Sequence, residues 1–501
     1  MISKSAAALF LRQSGSAQTK YAALTVAHQR NFAGGGPKKP SMPASNTDFD
    51  VVFVGGMNAT ALVKFMQADG VNYKMALVTE KSRFILPQSY FGVSHGHIAE
   101  LKLESGTVSA QVEQWSRTDT FAKVTEFLPN QNKVRLSNGR EYTYKALVVN
   151  TGFNHTSEHI QGLPEFEKDR GENNVFVHAI DHKERIQRNY YHGWNHNNGD
   201  MICYSPKFPY KGEGTDFYPL YYEHFLRQDI LQGRSARNAK IQFWTPNKEI
   251  FKFPYANEVA LDECRKRGID VHFGWEMLSV RQNEHGQKIA TFRCVDTGET
   301  IEKDFFSAVI NPPSKPHSEL TDSGIANHEG VVDVNPYTLQ HKRFENIFAF
   351  GDCIGVNTTR TQSAAIYQTP IIKHNLKQFL EGQDLNAIYD GYTFMPFILG
   401  HSYATSFQHF HDYEPAPLNH AVPHYSVFAR WYFGRMLKSQ MQMGEKFTSF
   451  KKNHGPPYYQ FNPRYLPLEH NDYLQKRQIP LSEVRMFEPK VRVAHHDEHH
   501  H

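Results

Sequence analysis

The residues with the clearest chemical meaning follow a short apolar run near position 50. Residues 48–60 read Asp-Phe-Asp-Val-Val-Phe-Val-Gly-Gly-Met-Asn-Ala-Thr. A strand that ends in a glycine-rich turn before a helix binds the phosphates of a dinucleotide through backbone N–H groups. Gly55 takes the first of the three glycine positions in that pattern, Met57 the second and Thr60 the third. The sequence therefore predicts a dinucleotide-binding turn that has lost two of its glycines.

Other candidate residues follow predicted strands in the same way. Glu80 comes after an apolar strand at 74–79, and an acidic residue about 20 positions past the turn can bind a ribose hydroxyl, although it is also common on surfaces. A buried strand at 144–149 ends at Asn-Thr-Gly, and another leads to Gly-Asp-Cys at 351–353. The candidate cofactor-binding residues are Gly55, Gly56, Glu80, Thr151, Gly152, Gly351 and Asp352.

The elements that must position these residues alternate between strand and helix. Residues 59–68 and 363–380 are predicted helices, 118–136 a hairpin, and 162–165 a turn leading out of the first domain. A second unit is predicted with strands at 201–204 and 240–244, helices at 217–227 and 257–267, and strands starting at 270 and 288. This alternation predicts mostly parallel sheets. The second unit has no glycine fingerprint after its strands, which argues against an NAD-linked dehydrogenase.

With these pieces in order, the chain resembles the sulfide:quinone oxidoreductases over roughly residues 50–445. The resemblance is carried by Val-Gly-Gly at 54–56, the strand at 144–152, Gly-Leu-Pro-Glu at 162–165, Gly-Asp-Cys at 351–353 with 360–365, and Tyr-Asp-Gly-Tyr-Thr at 389–393. It implies FAD, with Asp352 on the ribityl chain and the helix from Ser363 directed at the flavin pyrimidine. It also implies a membrane-surface enzyme that passes electrons from sulfide through two cysteines to flavin and then to quinone.

The two cysteines implied by the resemblance are missing. The family motif Pro-x-Lys-Cys reads Pro-Tyr-Lys-Gly here and ends at Gly212, and the second cysteine position is Met395, whose thioether cannot form a disulfide. No catalytic residue is therefore predicted. Cys203 and Cys353 could act as substitute thiols or be buried fillers, and burial is favoured because neither occupies the loop where sulfide is handled.

Composition limits the partners. Lys and Arg total 55 against 51 Asp and Glu in 501 residues, a formal charge of +4, which argues against nucleic acid as the main partner. No apolar stretch of about 18 residues is present, so no membrane-spanning helix is expected. The four cysteines are too widely spaced for a Cys-x-x-Cys zinc site, and no metal site is predicted.

The two ends of the chain differ from its centre. Residues 1–47 lack acidic residues and carry scattered Lys and Arg, which is typical of a mitochondrial transit peptide or else of a disordered basic tail. Residues 426–443 combine aromatic, methionine and basic residues, as in a helix that lies on a membrane or packs on protein. An extended arm follows Gly455, and the histidine-rich end at 495–501 is interpreted as solvated rather than metal-binding.

The predicted fold class is α/β, with two Rossmann-like dinucleotide-binding domains as in flavoprotein disulfide reductases and a C-terminal helical extension. The predicted domains are 1–47, 48–165 plus 305–400, 166–304 and 401–501. The favoured hypothesis is a protein inactive toward sulfide, on the matrix side of the mitochondrial inner membrane, that serves as an accessory subunit of a respiratory-chain assembly with peripheral membrane contact. The alternative is an active FAD-dependent quinone oxidoreductase with another electron donor.

Overall fold

The computed structural model describes residues 47–68, 71–80, 83–85, 104–107, 116–120, 122–168, 174–177, 199–214, 217–231, 233, 238–399, 404–416 and 467–487. All of them belong to one compact unit, Pro43–His501. Most of the predicted transit peptide, the basic aromatic segment at 426–443 and the histidine-rich end lie outside the described residues. In the described part of the chain, no helix combines the length and apolarity needed to cross a membrane.

The first sheet carries the predicted nucleotide turn. Its strand order is β5 (Ser116–Thr120), β2 (Met75–Thr79), β1 (Asp48–Gly55), β8 (Glu141–Asn150), β7 (Lys133–Leu136) and β6 (Val124–Leu128), and β19 (Ile347–Ala349) also pairs with β8. The pairs among β5, β2, β1, β8 and β19 are parallel. The centres of β1 and β8 are continuous, buried apolar runs, as expected for central strands of a parallel sheet with both faces covered.

Two helices pack on this sheet and on each other, α1 (Met57–Ala68) and α6 (Gln362–Leu380). The hydroxyl oxygen of Thr361 caps α6 by accepting a hydrogen bond from the N–H of Ala364 at 3.0 Å. Parallel strands place their carboxyl ends at one edge of the sheet. That edge carries the residues that follow β1, β2, β8 and β19.

A second parallel sheet has the order β10 (Val175–Val177), β17 (Ser307–Ile310), β11 (Met201–Tyr204), β12 (Ile241–Thr245) and β13 (Asp270–Phe273). The helices α3 (Pro219–Leu231) and α4 (Pro254–Arg267) accompany it. Helix α4 begins with a proline in its first turn and ends at Gly268 in the left-handed region, which are the usual start and stop signals. An antiparallel sheet follows, with the order β14 (Trp275–Gln282), β15 (Lys288–Cys294) and β16 (Thr300–Phe305).

Short pairs complete the described fold. They are β3 (Arg83–Ile85) with β4 (Glu104–Thr107), β9 (Phe153–His155) with β18 (Ser314–Pro316), and β20 (Thr393–Ile398) with β21 (Ala404–His409). The remaining helices are α2 (Leu163–Lys168), α5 (Ser318–Thr321), α7 (Asp472–Arg477) and α8 (Leu481–Val484). Helices α7 and α8 form an arm, residues 467–487, whose Leu468, Leu474 and Val484 pack with Tyr337 and Ile388 of the main body.

Four sequence expectations differ from the structure. Of the hairpin predicted at 118–136, only β6 and β7 pair antiparallel, and the turn between them ends at Asn132 in the left-handed region. Strand β5, at the start of that range, pairs in parallel with β2 instead. The predicted turn at 162–165 starts helix α2. The second unit, predicted to form a mostly parallel sheet, has that sheet and in addition a separate antiparallel sheet of β14, β15 and β16. Two predicted domain boundaries also fall elsewhere. Strand β17 belongs to the second parallel sheet although the second domain was predicted to end at residue 304, and β21 pairs with β20 although a new domain was predicted to begin at residue 401.

Candidate functional site

The carboxyl edge of the first sheet is organised around Asn150. A Cβ atom at Gly55, whose φ is +142°, would lie 2.2 Å from the carbonyl oxygen of Asn150. A Cβ atom at Gly351, whose φ is +78°, would lie 2.5 Å from Nδ2 of Asn150. That Nδ2 donates to the carbonyl of Phe350 at 2.7 Å. Both glycines are therefore required by packing against one amide residue, which the sequence analysis did not include among the site residues.

The turn itself keeps an open backbone. Among the described residues, no atom other than those of the chain neighbours lies within 4 Å of a Cβ built at Gly56 or at Gly152. Thr60, in the third glycine position, is fully buried and donates its hydroxyl to the carbonyl of Gly56 at 2.9 Å. Met57 is the first residue of α1. The open space beside Gly56 and Gly152 is suited to close approach of a dinucleotide to the backbone. Thr60, which stands in the third glycine position, instead makes a hydrogen bond to Gly56 at the start of α1.

The other predicted cofactor residues come to the same edge. Glu80 is exposed after β2 and lies in the electrostatic surroundings of Lys123 and His317. Thr151 and Gly152 follow β8, and Asp352 follows β19 in a 3-10 turn. The N–H of Gly351 donates to the side chain of Gln368 at 2.7 Å. The parallel topology thus brings all seven predicted residues to one edge.

A side-chain hydrogen bond joins the two helices at this edge. Nε2 of Gln362, the first residue of α6, donates to Oδ1 of Asn58, the second residue of α1. These are the two helix starts that the resemblance directs at the cofactor. The pair was not predicted, because residues 58 and 362 are too far apart in sequence for any local pattern to link them.

Of the two expected cysteine positions, Gly212 lies in a loop and Met395 on strand β20, and their surroundings meet. Gly212 adopts φ +89° in the loop after β11. Two residues later, a Cβ at Gly214 would lie 2.4 Å from the methyl of Thr359, 2.6 Å from that of Thr361 and 3.4 Å from Cγ of Met395. The structure therefore brings the regions of Gly212 and Met395 together and packs them without space for a further side chain at Gly214.

Met395 is part of an apolar cluster. It is 1% exposed and packs in a core that contains Phe217, Phe251 and Phe397. The rings of Phe217 and Phe397 are stacked with centroids 6.2 Å apart. A thioether in this position serves as a filler of the core and offers no thiol for sulfide.

A buried ion pair lies beside Gly212. Oε1 of Glu213 accepts a hydrogen bond from the backbone N–H of Arg360 at 3.0 Å and lies 3.8 Å from its Nη1. The guanidinium also donates to the carbonyl oxygens of Asp352 at 3.1 Å and Ile354 at 3.3 Å, and it lies over the ring of Phe153 at 5.1 Å. Sequence reasoning missed this pair, since only the fold places residues 213 and 360 together.

The retained cysteines do not replace the missing pair. All four are free thiols. Burial raises the pKa of Cys203, of Cys264 and of Cys353. The thiol of Cys353 is directed at the carbonyl oxygens of Val149 and Phe350. Because the thiolate is the reactive form, these residues are inert core groups, which agrees with the favoured interpretation of Cys203 and Cys353.

The motif at 389–393 has a structural role. The hydroxyl of Tyr389 donates to the carbonyl of Tyr392 at 3.1 Å, and that of Tyr392 donates to Gln408 of β21 at 2.7 Å. A Cβ at Gly391, with φ +81°, would lie 2.2 Å from the backbone nitrogen of His411. The motif therefore fixes the chain that carries Met395 against β21 and the turn that follows it.

Two buried histidines complete that region. Nδ1 of His409 donates to the carbonyl of Phe410 at 2.7 Å, so Nε2 accepts from the hydroxyl of Thr359 at 2.7 Å. Nε2 of His411 donates to the carbonyl of Tyr389 at 3.0 Å. Burial lowers the pKa of each histidine to about 4. Across the described residues, no cluster of three or more His, Cys, Asp or Glu side chains could hold a metal ion.

Sequence comparison identifies relatives of one family. No protein-family model matches the chain. The chain is 26% identical over 292 residues to the mitochondrial sulfide:quinone oxidoreductase of Schizosaccharomyces pombe, a match that covers 56% of this chain and 61% of the relative. It is 27% identical over 283 residues to the corresponding protein of Mus musculus, covering 56% and 60%. The match thus spans about three fifths of the length of these relatives.

Structural comparison gives the same fold. A chain in the mitochondrial ATP synthase of Tetrahymena thermophila superposes with a TM-score of 0.72 at 25% identity, covering 82% of this chain and 98% of that one. The sulfide:quinone oxidoreductase of Aquifex aeolicus gives 0.58 at 15% identity, covering 77% and 89%. Putidaredoxin reductase, in its covalent complex with putidaredoxin, gives 0.51 at 17% identity, covering 73% and 82%. The resemblance and the fold class predicted from the sequence are confirmed.

Proposed function

We propose that this homologue of the mitochondrial sulfide:quinone oxidoreductases does not oxidise sulfide and serves as an accessory subunit of a mitochondrial inner-membrane complex of the ATP synthase type. The observation that carries the proposal is the region of Gly212 and Met395. Neither position holds a thiol, and Gly214, Thr359 and Thr361 are in close contact there. A pair of thiols is needed to bind the sulfide sulfur and to form a disulfide or trisulfide.

No other part of the described chain supplies that chemistry. Cys203, Cys264 and Cys353 are buried, and burial disfavours their thiolates. Cys294 lies at the end of β15 in the antiparallel sheet, away from the edge that carries Gly55 and Gly351. Both the absent and the retained cysteines therefore support the proposed loss of sulfide chemistry.

The choice of complex is supported by the Tetrahymena match, which covers 98% of that chain and has the highest TM-score of the three structures compared. This favours an ATP synthase over a respiratory-chain enzyme as the host assembly. The described body keeps the fold of an oxidoreductase and offers its outer surface for subunit contacts. Matrix-side location and peripheral membrane contact belong to the same proposal.

The test is to isolate the tagged full-length chain from its own mitochondria under mild detergent. The expected result is co-migration on native gels with the catalytic subunits of the ATP synthase and no sulfide-dependent reduction of a soluble quinone. As a matched control, an active sulfide:quinone oxidoreductase is assayed in parallel. A chain that migrates free of the complex and reduces quinone with sulfide would overturn the proposal.

A second candidate is a flavin-dependent quinone oxidoreductase with a different donor. It is favoured by the open backbone at Gly56 and Gly152 together with the exposed Glu80 at the same edge. When bound, FAD would supply electron transfer between a donor and quinone; Gly55 and Gly56 would hold its pyrophosphate and Glu80 its ribose. Visible absorbance of the purified chain distinguishes the candidates. Flavin present only in a Met57→Gly variant would identify the turn as the obstacle.

A further inference from the structure

The Glu213–Arg360 pair is nearly inaccessible to solvent. The Glu213 side chain is 2% exposed and the Arg360 side chain 10%. Arg360 makes hydrogen bonds to Glu213 and to two carbonyl groups, and it also contacts the ring of Phe153. Oε2 of Glu213 has no hydrogen-bond partner among the described residues. The carboxylate therefore accepts a hydrogen bond from the backbone of Arg360 and faces its guanidinium at 3.8 Å, so removing one charge alone leaves the other buried without the opposite charge that faces it.

The pair connects the two halves of the body. Glu213 lies in the loop that leaves β11 of the second parallel sheet, whereas Arg360 precedes α6, which packs on the first sheet. The same loops touch at Gly214 and the methyl groups of Thr359 and Thr361. The pair is one of several contacts across this junction, together with the stacked rings of Phe217 and Phe397 and the hydrogen bond from the N–H of Lys211 to Ser314 at 3.2 Å.

We propose that the Glu213–Arg360 ion pair is a latch that fixes the second-sheet half against the first-sheet half, at the junction where the two expected cysteines are absent. The latch does not depend on the proposed function, because it would operate whether or not the chain belongs to a complex or binds a cofactor. Arg suits this role, since its planar guanidinium donates to two carbonyls through Nε and Nη2 while Nη1 faces the carboxylate at 3.8 Å.

The experiment measures the distance between the halves by pulsed electron spin resonance. One spin label is attached to Cys294, at the end of β15 and the least buried of the four cysteines, and a second to an Asn130→Cys variant in the exposed turn before β7. The unmodified junction is expected to give one narrow distance distribution. A Glu213→Gln variant is expected to broaden it and to lower Tm by about 5 °C, since a lone guanidinium is left buried.

The double variant Glu213→Gln/Arg360→Met distinguishes a pair that fixes the two halves relative to each other from a pair that only stabilises its immediate surroundings. It removes both buried charges, so Tm should recover much of the loss, while the distance distribution should stay broad. A Glu302→Gln variant is the matched control, because the Arg281–Glu302 pair is exposed within the second half and should change neither reading. A double variant with the narrow distribution of the unmodified junction would overturn the latch, as would a Glu213→Gln variant that keeps it.

Discussion

Acidification should destabilise the protein through the two buried histidines near β21. His409 and His411 are neutral. Both ring nitrogens of His409 are hydrogen-bonded, one to the hydroxyl of Thr359 and one to the carbonyl of Phe410, and Nε2 of His411 is bonded to the carbonyl of Tyr389. Burial lowers the pKa of each from 6.5 to about 4. Such a group contributes stability that is complete above the unfolded pKa and is lost as the pH falls from 6.5 toward 4.

The magnitude follows from these values. Between pH 7 and pH 5 each histidine should remove about 2 kcal/mol of the free energy of unfolding. Asp390 acts in the opposite direction, since burial raises its pKa from 3.8 to about 6 and its charge costs stability at neutral pH. Protonation of Asp390 should return about 1 kcal/mol over the same interval. The three groups together should therefore cost about 3 kcal/mol on acidification.

The assay is equilibrium unfolding in urea at pH 7 and pH 5, followed by intrinsic fluorescence. A His409→Gln/His411→Gln variant should be less stable at pH 7 but lose about 4 kcal/mol less than the unmodified chain on going to pH 5. His470 is exposed, and a His470→Gln control should keep the full pH dependence. Equal stability of the unmodified chain at the two pH values, or an equal effect of the control, would refute the assignment.

Three further outcomes are expected. Gly55→Ala should lower the free energy of unfolding by about 3 kcal/mol, because its Cβ would meet the carbonyl of residue 150 and its φ is unfavourable for alanine. The control Gly56→Ala should change it by no more than about 0.5 kcal/mol. Equal losses for the two variants in urea unfolding would contradict the packing argument. Asn335→Ala should speed protease cleavage in residues 467–487, because the side chain of Asn335 donates to the carbonyl of Glu483 at 2.6 Å. Unchanged digestion would mean that the apolar contacts alone hold this arm on the main body. A thiol reagent should modify Cys294 alone before unfolding and all four cysteines in urea; fast labelling of a second cysteine would contradict the burial of the other three.

Local patterns were sufficient for most of the parallel elements. The apolar runs of β1, β8, β11 and β19 and the helix α6 are long or strongly patterned, and the sequence located them within a few residues. Strand β14 was missed although polar residues alternate with apolar ones there, as in a half-buried strand; only Gly274 separates it from β13, and the two were not distinguished. The placement of β5 beside β2, rather than in a hairpin, likewise depends on a parallel pairing between segments about forty residues apart.

The absence of a thiol at Gly212 and Met395 was determined by the sequence alone, because a thiol is either present in the covalent chain or it is not. So was the change of the glycine turn at Met57 and Thr60. What occupies the vacated junction was decided by the tertiary structure, since the contacts of Glu213 with Arg360 and of Gly214 with Thr359 join residues more than a hundred positions apart. Burial, which raises the pKa of Cys203, Cys264 and Cys353 and encloses the Glu213–Arg360 pair, exists only once the chain has folded.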